Sequence, residues 1–224
     1  MGKPIVFLPP LENGDHLTQA EFEQRYHAMP YLKKAELIKG VVYMSSPVRA
    51  KHHASPHAQI ITWLGVYATT TPGVNVYDNA TVRLSDNNEP QPDALLRLPT
   101  ELGGNSRLSE DDYIEGPPEL IVEISASSAA YDLHEKRQVY LKNGVSEYLV
   151  WRIDDECLDW FVLQNGKYVA LQPDEESLVY SQVFPGLVLD VGALLLGDFA
   201  SVLATLQNGL QSISHQAFVE KLQE

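Results

Sequence analysis

Pro92-Asp93-Ala94-Leu95-Leu96, then Glu119-Leu120-Ile121-Val122-Glu123-Ile124-Ser125, then Lys136 are the residues on which the reading of this chain turns. Both apolar runs have the composition of buried strands, and each carries one acid where its neighbours belong to a core. A buried, unpaired carboxylate costs several kcal/mol, so such acids have partners. The plain reading pairs each with an arginine or a helix end. The sharper one places two acids on adjacent strands at one end of a sheet, where they could hold a divalent cation. Lys136, on the helix predicted to follow, could point at the same place.

Working outward, Ser127-Ser128 leads into a helix from Asp132 to Lys142, closed by Asn143-Gly144 with glycine as the cap. Glu147 to Arg152 is the next strand, and Leu120–Ile124 can run parallel to Tyr148–Arg152 across that helix. Asn165-Gly166 marks a hairpin between 158–163 and 167–171. Leu178–Tyr180 and Leu187–Leu189 are short strands, and the pattern is helical from Val191 on. Upstream, Thr18 and Glu21 form a capping box for a helix that Pro30 ends. Glu36 opens a strand that turns back at Lys39-Gly40. Ser45-Ser46-Pro47 breaks the returning strand. Ile60, Trp63, Leu64 and Tyr67 recur at helical spacing, and Pro72-Gly73 stops that helix. Val74–Tyr77 and Ala80–Leu84 read as strands, and the Gly- and acid-rich 100–116 stretch reads as a mobile loop. The predicted class is α/β with a mixed sheet. The expected organisation is an arm over 1–16, a domain over 17–196 and a helical tail over 197–224.

Bulk properties narrow the choice. The 224 residues suffice for one sizeable core, and 44% hydrophobic with 21% charged content is that of an ordinary globular protein. One cysteine, Cys157, rules out a disulfide framework or a cysteine zinc cluster and suggests a reducing, cytoplasmic setting. Ile5 to Leu8 does not read as a signal peptide, and no run reaches the ~20 apolar residues of a membrane helix. The net charge of −14 opposes long-range attraction of a polyanion. A metal site or a local basic patch can still dominate at contact range. Lys33-Lys34, Arg49 with Lys51, and Lys136-Arg137 with Lys142 are the basic groups, each plainly read as a solvated face. His52, His53 and His57 precede the Trp63 helix. His53 and His57 have ligand spacing, but Pro56 lies between them and no glutamate follows the first, so a zinc pair is not expected.

Pro92-Asp93, a spacer and Glu123-Ile124-Ser125 resemble the active-site pattern of the restriction-endonuclease-like superfamily: Pro-Asp, a gap, then Asp or Glu, any residue, and Lys. More specifically, the chain resembles the Uma-type endonuclease family. The similarity runs through Glu36-Leu37-Ile38-Lys39-Gly40-Val41-Val42, the His-bearing stretch from Ser46 to His57, Pro92-Asp93 and Glu119 to Ser125. It continues through Asp132-Leu133-His134-Glu135-Lys136, Tyr140 and Asn143 to Tyr148, covering roughly 17–196. The resemblance implies a mixed sheet flanked by helices, a metal site at one sheet edge, Mg²⁺ or Mn²⁺ as cofactor and DNA as partner. It implies Asp93 and Glu123 as metal ligands, with the backbone carbonyl of Ile124 as a third. The implied catalytic set is Asp93, Glu123, Lys136 and Glu36. The departure is Ser125, where the pattern has lysine. Lys136 is the replacement candidate, although Asp132 and Lys136, four apart, also read as a surface ion pair worth a few tenths of a kcal/mol. Tyr140 is expected to pack.

The reading is a metal-dependent DNA endonuclease using a metal-activated water. A catalytically inactive nuclease-fold binding protein and a hydrolase of small phosphoesters are the alternatives. A homodimer is expected because duplex cleavage needs two sites and the 147–190 region offers strand edges.

Overall fold

The computed structural model describes residues 8–44, 50–126 and 129–224, and of His52 the backbone alone. The first part of the expected arm, the break at Ser45-Ser46-Pro47, the basic residue Arg49 and the Ser127-Ser128 lead lie outside the described residues.

Helix α1 (Gln19–His27) begins at the capping box the sequence predicts, with Thr18 and Glu21 bonding each other's backbone amides. β1 (Ala35–Ile38) and β2 (Val41–Met44) form a hairpin. Lys39 and Gly40 both take positive φ, 53° and 76°, which matches the strand twist across a two-residue turn. Residues before α1 lie along this hairpin: Gly14 N donates to Val42 O and Val42 N donates to Asp15 O. A one-turn π segment (Ala50–Ala54) then runs into α2 (Ser55–Thr70). The residues spaced for a buried face, Ile60, Trp63, Leu64 and Tyr67, are all buried. Each such side chain contributes about 1.5–3 kcal/mol of burial.

β3 (Asn75–Asp78), β4 (Val82–Arg83) and β5 (Ala94–Arg97) follow. The 100–116 stretch is not a featureless loop. It holds a short helical turn and strands β6 (Arg107–Leu108) and β7 (Ile114–Glu115), which join β4 in a small sheet. Buried polar groups fasten it. Glu119 accepts from Leu98 N at 2.7 Å and Asn105 N at 2.9 Å, and Arg97 donates to both oxygens of Ser106. Gly104 is needed there, because a Cβ would come within 1.9 Å of Leu98 O.

β8 (Leu120–Ser125) leads to the crossover: α3 (Ala129–Tyr131), a π segment (Asp132–Lys136) and α4 (Arg137–Asn143), with Gly144 as the left-handed cap. The chain returns as β9 (Glu147–Arg152), parallel to β8 as predicted. β10 (Cys157–Gln164) and β11 (Lys167–Ala170) form the hairpin at Asn165-Gly166, again with positive φ at both turn residues. The central sheet has the order β11-β10-β9-β8-β5-β3. β12 (Leu178–Tyr180) and β13 (Val188–Asp190) pair beside it, followed by α5 (Val191–Leu195), α6 (Phe199–Leu210) and α7 (Ile213–Leu222). Among the described residues, no helix is long and apolar enough to cross a membrane.

Side-chain alternation along β8 divides the interior. Leu120, Val122 and Ile124 face the main core with α2, and Val202 and Leu206 of α6 close that core. Ile121 faces the second core, with Tyr140 and Tyr148 beneath the crossover helix. Glu123 and Ser125 therefore project from β8 toward the crossover, the same side as Ile121.

Candidate active site

Asp93 is the last residue before β5 and is buried. Its Oδ2 accepts the Ile124 amide at 2.8 Å, tying the end of β5 to β8, and lies 3.3 Å from His53 Nε2. Its Oδ1 accepts from Lys34 Nζ at 3.0 Å. Burial alone would raise this carboxyl. The His53 contact, the Lys34 charge and the Ile124 amide outweigh it and hold Asp93 well below the usual carboxylate range.

Glu123 meets the crossover. Lys136 Nζ lies 2.9 Å from its Oε1, and the Tyr140 hydroxyl donates to the same oxygen at 2.7 Å. Lys136 also lies 2.8 Å from Glu36 Oε1 and 3.9 Å from Asp132 Oδ1. Glu36 Oε1 takes the Gln91 amide as well, at 2.8 Å. Burial opposes the charge on Lys136, but Glu123, Glu36 and Asp132 together hold its pKa well above the ordinary lysine value. The proton thus stays on the lysine. The surplus of acid appears at Glu123, which burial, against the pull of Lys136, pushes up to about 8. The repulsion of Asp93, Asp132 and Glu36 adds to that shift.

The π segments matter here because each delivers a nitrogen to an acid. His53 lies on one, and Lys136 ends the other. A π turn accommodates an extra residue in the helix, which re-aims the side chains on it. Ser125, where the superfamily pattern has lysine, donates its hydroxyl to Asp132 Oδ2. Asp132 and Lys136, which also read as a surface ion pair, are both buried. Tyr140 packs, as expected, and also bonds Glu123.

Asp93, Ile124, Glu123, Lys136 and Glu36 are therefore contiguous, linked in that order by hydrogen bonds or by the chain itself. Sequence reasoning did not place Lys34, His53 or Asp132 among them. For Lys34, one signal was available: it stands two residues before Glu36, the spacing of side chains on one face of a strand. His57 also reaches this region, its Nε2 2.7 Å from the Asp93 carbonyl and 3.1 Å from Asp78 Oδ1. His53 thus faces the Asp93 carboxylate and His57 its backbone carbonyl, with the two rings 5.7 Å apart.

Among the described residues, no three carboxylate, imidazole or thiolate groups converge on one metal position. Glu36 is turned to Lys136 and the Gln91 amide instead. What fits a hard divalent cation is the pair Asp93 and Glu123, flanking Ile124. The charge fits too. Glu36, Asp93, Glu123 and Asp132 face the amines of Lys34 and Lys136, leaving negative charge in excess.

The family model described as "Uma2: Putative restriction endonuclease" matches residues 20–192. The chain belongs to this family. Among solved structures, the Uma2-family chain is similar to one from Anabaena variabilis described as "a putative nuclease belonging to DUF820". The two share 13% identity, the match covers 92% of this chain and 99% of that one, and the TM-score is 0.56. At that identity the likeness bears on fold, a mixed sheet flanked by helices. No curated protein matches the Uma2-family chain. Ser125 and Lys136 are thus features of a Uma2-family chain whose strand lacks the lysine of the superfamily pattern.

Proposed function

We propose that this chain is a divalent-metal-dependent endonuclease acting on DNA phosphodiester bonds. The observation that carries the reading is the junction at Ile124. Its amide holds Asp93, and the preceding residue, Glu123, meets Lys136 at 2.9 Å. Two carboxylates and a lysine are thus linked at the end of two adjacent strands, and the family is described as one of restriction endonucleases, which supports the reading.

Asp93 and Glu123, with the Ile124 carbonyl, would hold Mg²⁺ or Mn²⁺, which when bound neutralises phosphate charge and lowers the pKa of water. Lys136 and Tyr140 fix the Glu123 carboxylate in one rotamer. Glu36 fixes Lys136, so the lysine does not wander from its acid. His53 and the Ile124 amide fix Asp93. This ring of bonds pre-orients the oxygens before any cation arrives, the property that a catalytic site needs. A homodimer would present two such sites to the two strands of a duplex.

A second reading is a binding protein without catalysis. It is favoured by Ser125 and by the pinning of Lys136 between two acids. Incubation of supercoiled plasmid with the protein and Mn²⁺ separates the two. Nicking by the wild type that is absent in Asp93→Ala supports the nuclease. Equal, negligible nicking by both supports the binding protein.

A further inference from the structure

The two oxygens of Asp93 are engaged unequally. Oδ2 is held by a backbone amide and faces His53, both set by the fold. Oδ1 is held by Lys34 Nζ at 3.0 Å, whose other bond goes to Asn79 Oδ1 at 3.2 Å. Lys34 directly precedes β1, so its backbone is anchored while its four-carbon stem can turn. Its side chain keeps 23% of its surface exposed, against 4% for Lys136. Two residues on, Glu36 binds Lys136. The start of β1 therefore serves both acids, one through its lysine and one through its glutamate.

We propose that Lys34 is a second lysine of this site: the internal counter-ion of Asp93, displaced by a divalent cation and then free to take an oxygen of the substrate phosphodiester. The proposal rests on the reading that Asp93 holds the cation. Oδ1 is the oxygen Asp93 would offer a cation, because its donor is a flexible side chain whereas the amide on Oδ2 is fixed by the backbone. The Lys34 ammonium would face that cation, and like charges at such range in a half-buried site repel strongly. Lys34 can yield, since its alternative surroundings are solvent and a neutral amide. Lys136 cannot, since its departure would uncover the buried carboxylates of Glu36 and Glu123. The two lysines thereby divide the work: one stays to hold Glu123, and one moves. A lysine suits the moving role because its ammonium is a compact charge on a flexible stem and a common phosphate partner.

The test is Mn²⁺ titration by calorimetry on the wild type and on Asp93→Asn, Lys34→Met and Lys34→Arg, paired with plasmid nicking. The expected result is Mn²⁺ binding that Asp93→Asn abolishes and that Lys34→Met tightens roughly tenfold or more. Lys34→Met would nevertheless nick about tenfold more slowly or worse, having lost its phosphate contact. Lys34→Arg, which restores the charge, would return the affinity toward wild type. A lysine with a merely structural role would not tighten metal binding. If binding depends on Asp93 but Lys34→Met leaves it unchanged, the counter-ion role is overturned while the metal reading stands. If Lys34→Met binds more tightly and nicks as fast as the wild type, the phosphate role is overturned. If the wild type shows no Asp93-dependent binding, the metal reading itself fails and the proposal with it.

Discussion

Lys136 meets Glu123 from thirteen residues further along the chain, its amine 2.9 Å from Oε1. The superfamily pattern would supply that lysine two residues after the acid, from the same strand. Here the strand position is Ser125, and its hydroxyl donates to Asp132. The other oxygen of Asp132 faces Lys136 at 3.9 Å. One carboxylate thus stands between the strand position that lacks the lysine and the helix position that has it.

Removing the lysine should cost stability before it costs activity. Lys136→Met leaves Glu36 buried without its cation, and Glu123 too where the pH lies above its raised pKa, a loss of about 3–5 kcal/mol for a broken buried pair. Urea denaturation measures it. Adding Glu123→Gln to Lys136→Met should recover part of the loss, because the stranded charge goes with it. A Lys136→Met protein as stable as the wild type would contradict the buried ion cluster.

Moving the lysine back should be tolerated only in exchange. Ser125 is fully buried, so Ser125→Lys alone crowds the site and should cost about 1–3 kcal/mol. Combined with Lys136→Ala, the new lysine gains the space and the acids that Lys136 had. The double variant should melt above Lys136→Ala alone. If it melts lower, position 125 does not reach the same acids.

For the proposed activity, Glu123→Gln should lower metal-dependent nicking by about a hundredfold or more, a loss typical of removing one group that stabilises transition-state charge. Chelation with EDTA should stop wild-type nicking, and added Mn²⁺ should restore it. Nicking that survives EDTA would point to a different mechanism.

A pH dependence arises away from this site. Gln19 Nε2 donates to Glu89 at 3.0 Å and to Glu23 at 3.4 Å, so it bridges the two acids. Burial, with Glu23 alongside, pushes buried Glu89 up to about 8 from an ordinary 4.5. The folded state therefore binds this proton more tightly than the unfolded chain. The stabilisation is present below the ordinary value and is lost as pH rises through the raised one. Glu89→Gln imitates the protonated acid and should escape that loss. Urea midpoints across this range should fall for the wild type relative to Glu89→Gln. Parallel curves would show that Glu89 does not titrate there.

What could be read beforehand was whatever depends on local pattern. The apolar run of β8, the glycine cap at 144, the Thr18 capping box and the Asn165-Gly166 turn all express short-range rules, and the strand–helix–strand order implies a parallel pair. The acids at 93 and 123 stood out because charge is costly inside apolar runs. The partners of those acids did not stand out. Lys34 and His53 look like solvated residues until the fold brings Asp93, just before β5, to the start of β1 and to the first π segment. Tyr140 reads as core because most of it is core, and only its hydroxyl is different. The 100–116 stretch has a loop's composition, and the side chains that organise it, Arg97 and Glu119, lie outside it.

The π turn at Asp132–Lys136 makes the site sensitive to residue count as well as residue identity. Deleting a single residue from it would return the helix to ordinary spacing and rotate everything on one side by about 100°. Lysine and tyrosine could then no longer both face Glu123, although every site residue would still be present. A loss of that kind leaves no trace in an inventory of side chains. It would show only as an offset of one between the Glu123 strand and the helix that answers it.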